Sequence, residues 1–296
     1  MTRIQANLVL LLAAAIWGSG FVAQSTAMKA IAPFWFIGLR FAVATIVVLP
    51  FVWMEKRKAE KPITSRNWLF FLLTGVALFG GAATQQLGLL TTTVTNSSFI
   101  TGLYVVFVPL IAVVFLRRQP HWIIWPSALT ALTGIYLLSG GSFSHLTSGD
   151  LLTVVCAVFW SVQITLAGSS VRETGRPLAI SATQFALAAV LAFIVAAVTE
   201  PIGIADIEGA LGEILYLGIF SSGLAFALQV IGQRYTTAPQ AAIILSSEAV
   251  FGAALGALLL GETMGPLGYA GCALMFSAML AVELVPELTR RRRVVA

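Results

Sequence analysis

A carboxyl group sits in the middle of an apolar stretch: Glu248 lies nine residues past Pro239 in the run 239–260. At 1.5 Å per residue it is about 13 Å into that run. An ionisable side chain at such depth is costly and usually functional. Two jobs fit it: a protonated carboxyl hydrogen-bonded to a neighbouring helix, or a proton- or substrate-handling group on a cavity wall. Arg40 lies seven residues past Pro33, about 10 Å from the end of its own run. It either snorkels back to the interface, holds a substrate carboxylate, or pairs with Glu248. Gln85 and Gln229 lie deep in other apolar runs, suited to hydrogen bonds between helices or to a polar cavity wall. Ser222, Phe226, Gln229 and Gln233 share one helical face. Trp17 and Trp160 are about ten residues from the ends of their runs, away from the interfaces where membrane tryptophans collect. They are either packed or lipid-facing rings, or the walls of an aromatic cage with Gln163 one turn beyond Trp160. Tyr104 adds a phenol at mid-depth.

The elements that position these groups are membrane spans. Of the 296 residues, 58% are apolar and 10% charged, and the mean hydropathy is +0.94. Soluble domains carry about 25% charged residues, so soluble enzymes, disordered linkers and disulfide scaffolds are excluded. Cys156 and Cys272 both sit inside apolar runs. Runs bounded by charge, Pro or Gly predict ten spans: 6–26, 33–54, 68–89, 96–116, 122–139, 150–168, 178–199, 212–233, 239–260 and 266–285. The first is too long for a signal-peptide core and lacks a clean cleavage site, so a retained helix is expected.

With those spans, 15 of the 17 Lys and Arg fall on one side, among them Lys56, Lys58, Lys61, Arg118, Arg172, Arg176 and the tail Arg290–Arg293. Lys29 falls on the other side, and Arg40 lies within a span. The positive-inside rule then puts both termini in the cytoplasm of a multi-pass inner-membrane protein. The pI near 9.6 reflects this topology and implies no nucleic-acid partner. The bilayer and a small-molecule substrate are the expected partners of a monomer or homodimer.

Shifting the sequence by 144 residues brings Pro33 onto Pro177, Phe41 onto Phe185, Gln85 onto Gln229, Gly88 onto Gly232 and Thr92-Thr93 onto Thr236-Thr237. The same register pairs Tyr104 with Glu248. An internal repeat of this kind predicts two halves, 1–144 and 145–288, followed by a basic tail 289–296. Five spans per half is an odd number, so the halves must be inverted. Inverted repeats are the recurrent plan of secondary transporters, with the substrate near the midplane between them. The fold expected is therefore all-α, with ten transmembrane helices in two inverted five-helix repeats.

The stretch from Ser247-Glu248-Ala249-Val250-Phe251 to Leu260-Gly261-Glu262 resembles the signature of EamA-type members of the drug/metabolite transporter superfamily. Pro33…Leu39-Arg40-Phe41…Ala44 and Trp17-Gly18-Ser19 are similar to other marks of that family. One departure is Ala249, where many members have Pro. The resemblance covers nearly the whole chain. It implies a ten-helix carrier of small metabolites, often outward, and is strongest to bacterial exporters of amino acids, aromatic ones first. Within the same superfamily a broad-specificity drug or organic-cation permease, or a channel-like facilitator, is the alternative.

Enzyme readings find little. His121 and His145 lie in or beside loops, and no HExxH, cysteine cluster or Walker loop is present. Gly18-Ser19-Gly20 lacks an intramembrane base. No enzyme activity, cofactor or metal is expected. The predicted substrate-binding residues are Trp17, Gln85, Tyr104, Trp160, Gln163, Gln229 and Glu248, with Arg40 as a carboxylate or structural partner.

Overall fold

The computed structural model describes residues 1–57, 62–92, 94–114, 117, 119–138, 147–260 and 265–295. Lys58, Lys61, Arg118, His145 and the Gly261-Glu262 end of the signature lie outside the described residues. In a bilayer core every backbone N–H and C=O must be satisfied internally, and the chain responds with helices. No strand occurs among the described residues. The first half forms α1 (Arg3–Ala27), α2 (Pro33–Arg57), α3 (Ser65–Gly88), α4 (Val94–Thr101), α5 (Tyr104–Val114) and α6 (Ile124–Leu138). The second forms α7 (Ser148–Thr174), α8 (Pro177–Thr199), the short α9 (Ile204–Gly209) and α10 (Leu211–Tyr216), and a π-helical stretch, Leu217–Ala225. It continues through α11 (Phe226–Gln233), α12 (Ala238–Leu245), α13 (Glu248–Leu260) and α14 (Pro266–Val295).

Among the described residues, eight helical runs are long and apolar enough to cross a membrane: α1, α2, α3, Ser97–Val114, α7, α8, Leu211–Gln233 and Pro266–Pro286. The chain is thus a multi-pass membrane protein, with eight spans rather than ten established by length and composition. The other two expected spans fall on α6, 15 residues long, and on α12 and α13. The stretches 96–116 and 239–260, expected as single helices, are each interrupted, at Gly102-Leu103 and at Ser246-Ser247.

Those two interruptions are equivalent. Val94 and Ala238, Thr101 and Leu245, and Tyr104 and Glu248 open or close the matching helices at a constant separation of 144 residues. Packing follows the same exchange of halves. Helix α1 packs on α13 as α7 packs on α5, and α3 lies along α7 as the π stretch and α11 lie along α1. Helices α2 and α8 pair with each other, as do α6 and α14.

The direction of the halves is settled by two carboxylates. Glu200, just past the end of α8, accepts from the backbone N–H of Phe34 (3.0 Å) and Trp35 (3.2 Å) at the start of α2. Glu55, near the end of α2, accepts from the N–H of Leu178 (2.9 Å) and Ala179 (3.0 Å) at the start of α8. A proline-led helix start leaves unpaired N–H groups and the positive end of the helix dipole, which a carboxylate satisfies. Each helix therefore begins where its repeat partner ends. The two run antiparallel, so the repeats are inverted.

Candidate functional site

The core between α1, α2, α7, α8 and α11 is aromatic. Phe41 and Phe185, repeat partners, stack with ring centroids 6.0 Å apart. Phe226 lies against both, and against Trp17 (4.7 Å) and Trp160 (5.5 Å). Beside these rings lies a cavity lined by Trp17, Phe21, Gln24, Arg40, Gln85, Thr101, Tyr104, Trp160, Gln163, Ile164, Ser221, Ser222, Phe226 and Glu248.

Local backbone departures place several of these groups. In the π stretch the turn is wider than in an α-helix, a feature that recurs at functional sites. There the Ser221 carbonyl accepts the Trp17 indole N–H at 2.9 Å. Gly218 permits the stretch to press on α2, since a Cβ there would stand 2.7 Å from the Val43 Cβ and 3.0 Å from the Arg40 carbonyl oxygen. The helix break at Ser246-Ser247 puts Glu248 at the first turn of α13, and the equivalent break puts Tyr104 at the first turn of α5.

Polar contacts divide into a satisfied set and an unsatisfied one. Arg40, 4% exposed, donates from Nη1 to Gln24 Oε1 at 2.9 Å and rests over Phe41 at 4.9 Å. Its Nε has no partner. The Tyr104 phenol lies beside the Glu248 carboxyl, yet Tyr104 Oη and Glu248 Oε1 complete no hydrogen bond. Gln85 Nε2 donates to Thr101 Oγ1 at 3.2 Å.

Two stretches of the chain, residues 4–140 and 147–284, match the EamA-like transporter family. The chain belongs to that family. Its relatives include an uncharacterized transporter of Archaeoglobus fulgidus, 32% identical over 95% of this chain and 87% of that protein. The uncharacterized transporter YwfM of Bacillus subtilis is 25% identical over 95% of this chain and 94% of its own length. For the uncharacterized inner membrane transporter YicL of Salmonella typhimurium the identity is 24%, over 96% of each chain. A protein of known crystal structure, 19% identical, superimposes with a TM-score of 0.77 over 96% of this chain and 98% of that one, and shares the fold.

In this EamA-like transporter, seven of the eight residues singled out from sequence line this cavity: Trp17, Arg40, Gln85, Tyr104, Trp160, Gln163 and Glu248. Gln229 does not. It stands behind the wall, donating from Nε2 to Gln163 Oε1 (3.0 Å) and Gln233 Oε1 (3.3 Å). Gln163 in turn donates to Gln184 Oε1 (2.9 Å), and Gln233 to the Ile164 carbonyl (2.9 Å). These four glutamines are fully buried and tie α7 to α8 and α11. Arg40 makes no ion pair with Glu248 among the described residues, and its burial excludes snorkelling to the interface.

Sequence reasoning left Phe21, Gln24, Thr101, Ile164, Ser221, Ser222 and Phe226 out of the site. Gln24 is a polar residue inside an apolar helix, two turns past Trp17 and one turn past Phe21 on the same side, and this spacing was the available signal. Ser222, Phe226 and Gln229 share a face in the sequence, but only Ser222 and Phe226 reach the cavity, while Gln229 joins the glutamine chain.

Proposed function

We propose that this transporter carries amino acids, aromatic ones first, outward across a bacterial inner membrane by alternating access between its inverted repeats. The observation that carries the reading is the cavity wall: five aromatic rings, from Trp17, Phe21, Tyr104, Trp160 and Phe226, beside polar side chains several of which are already bonded, Gln24 to Arg40, Gln85 to Thr101 and Gln163 to Gln184. A sugar needs many donors and acceptors, and a polyanion needs several cations. Arg40 is the cation on this wall, so a single ring with one small polar end is the better fit. The outward direction rests on the family resemblance alone. Both termini lie in the cytoplasm by the distribution of Lys and Arg. The halves 1–144 and 145–288 each supply five spans, counting α6 and the broken pair α12–α13, and 289–296 forms a basic tail.

The test is counterflow in proteoliposomes with labelled phenylalanine and threonine, comparing the wild type with Trp160→Ala. Loss of a buried aromatic contact removes about 1–3 kcal/mol of binding. Phenylalanine should weaken by that amount and threonine by much less. Equal loss for both would make Trp160 a packing residue. No loss would remove the aromatic-substrate reading.

A further inference from the structure

We propose that the cavity is a two-pole zwitterion site, with Arg40 and Gln24 holding a carboxylate at one pole and Glu248 and Tyr104 holding an ammonium at the other. The proposal rests on the amino-acid reading above and deepens it by assigning each end of the substrate to named side chains.

Three observations carry it. The cavity contains one basic and one acidic side chain, Arg40 and Glu248, each 4% exposed. Neither has an ion-pair partner among the described residues, and they do not pair with each other. A buried charge without a counter-charge is strongly unfavourable, so an apparatus of this kind is incomplete until something brings both missing charges.

Second, the unsatisfied atoms have the right polarity. On the Arg40 side, Nε is a donor with no acceptor, and Gln24 Oε1 is already held by Nη1. That bond fixes the guanidinium plane and leaves donors for a carboxylate, which arginine binds in a fork. On the Glu248 side, Oε1 is an acceptor with no donor, and Tyr104 Oη can accept as well. An ammonium supplies three donors and no acceptor. The rings of Trp17, Trp160 and Phe226 flank the space and suit an apolar or aromatic side chain.

Third, the poles come from different repeats and break the symmetry between them. The register that pairs Arg40 with Gln184 and Tyr104 with Glu248 places the positive charge in the first half and the negative charge in the second. At the position equivalent to Arg40 the other half carries the neutral Gln184, whose Oε1 accepts from Gln163 Nε2 at 2.9 Å. A ligand with two unlike ends thus meets two unlike ends of the cavity.

Calorimetric titration of the purified full chain in detergent with three probes tests the assignment: phenylalanine, phenethylamine (no carboxylate) and 3-phenylpropanoate (no ammonium). In the wild type, each truncated probe should bind about 10- to 100-fold more weakly than phenylalanine. In Arg40→Gln the advantage of phenylalanine over phenethylamine should collapse, while its advantage over phenylpropanoate persists. Glu248→Gln should show the reverse, and Tyr104→Phe a weaker version of the Glu248→Gln pattern. Arg40→Lys keeps the charge without the fork. It should retain a reduced preference for the carboxylate-bearing probe even where Arg40→Gln does not fold.

The crossed pattern supports the poles. Equal loss of all three probes in both variants overturns them while leaving the amino-acid reading standing. Phenethylamine binding the wild type more tightly than phenylalanine overturns the Arg40 pole and points to an organic-cation permease. No binding of any probe overturns the amino-acid reading and the poles with it.

Discussion

Replacing Glu200 or Glu55 by glutamine keeps each side chain's length and removes its charge, which isolates what the two carboxylates contribute to holding α2 and α8 together. Glu200 accepts from two backbone N–H groups at the start of α2, at 3.0 and 3.2 Å. A glutamine keeps one acceptor oxygen and turns the other into a donor that meets N–H groups. The loss is a charge-assisted hydrogen bond, about 1.5–3 kcal/mol, part of which is the interaction with the helix dipole. Because Glu200 is only partly buried, the lower end, about 1.5 kcal/mol, is expected. Glu55 makes the equivalent pair of bonds at 2.9 and 3.0 Å and also accepts from Arg176 Nε at 3.3 Å. The Glu55 and Arg176 side chains are 12% and 10% exposed. Glu55→Gln therefore leaves a largely buried guanidinium without its counter-charge, and about 3 kcal/mol is expected. Unfolding of the purified protein by SDS titration measures both. The two sites lie at opposite ends of a 25-residue helix, so the double variant should show the sum of the single effects within about 0.5 kcal/mol. Unchanged stability in both variants would refute the carboxylates as helix caps. Glu200→Gln proving the more damaging would refute the added weight given to Arg176.

Gly18→Ala should destabilise by about 1–3 kcal/mol and depress phenylalanine counterflow, because its Cβ would fall 2.7 Å from Gly252 N and 2.9 Å from the Glu248 carbonyl oxygen. Gly212→Ala, with nothing within 4 Å of the new Cβ, should change neither, and equal effects in the two would refute a close α1–α13 contact. Gln229→Leu removes the donor to Gln163 and Gln233 and should cost about 1–3 kcal/mol in the same SDS titration; an unaltered midpoint would mean that the glutamine chain carries no stability. With Cys156 and Cys272 replaced by alanine, cysteines introduced at Lys56 and Glu208 should be labelled from the cytoplasmic and external sides respectively, and the opposite result would overturn the orientation assigned to the spans.

Different parts of the molecule were legible in the sequence to different degrees, for physical reasons. Span positions followed from the cost of polar backbone and charge in lipid, which acts residue by residue along the chain. The 144-residue register was visible because Pro, Gln and Thr mark helix starts and buried contacts, and those marks survive where Ala and Leu drift. The helix breaks at Gly102-Leu103 and Ser246-Ser247 left no such mark: both sit in apolar, small-residue sequence with no proline at the break, and only the surrounding packing sets them. The π stretch was equally hidden, since its insertion is defined by backbone contacts to α1 and α2. For the site, depth was readable but direction was not. Tyr104, Trp160 and Glu248 were found because large or polar side chains at mid-depth are conspicuous. Gln229 was as conspicuous, yet it stands behind Gln163, to which it donates at 3.0 Å.

The frame of this transporter is symmetric and its cavity is not, and the division has a physical logic. The two carboxylate caps, the Phe41–Phe185 stack and the matched helix breaks are repeated in both halves, as the proposed alternating access requires. Such a frame favours two conformations of similar energy without specifying any ligand. Identical halves would also give a cavity with two identical ends, which suits a symmetric ligand. The departures from the repeat fall where they change that: Arg40 against Gln184, Glu248 against Tyr104, and Phe226 against Ala82. Each departure swaps a neutral or small group for a charge or a ring, and all three larger or charged members line the cavity. Caps and breaks must stay matched for the two states to remain close in energy, whereas cavity residues can diverge because they touch each other and the ligand more than they touch the frame. Under the proposed two-pole site, the residues that violate the internal repeat at mid-depth, Arg40, Glu248 and Phe226, are the ones that give the cavity its unlike ends.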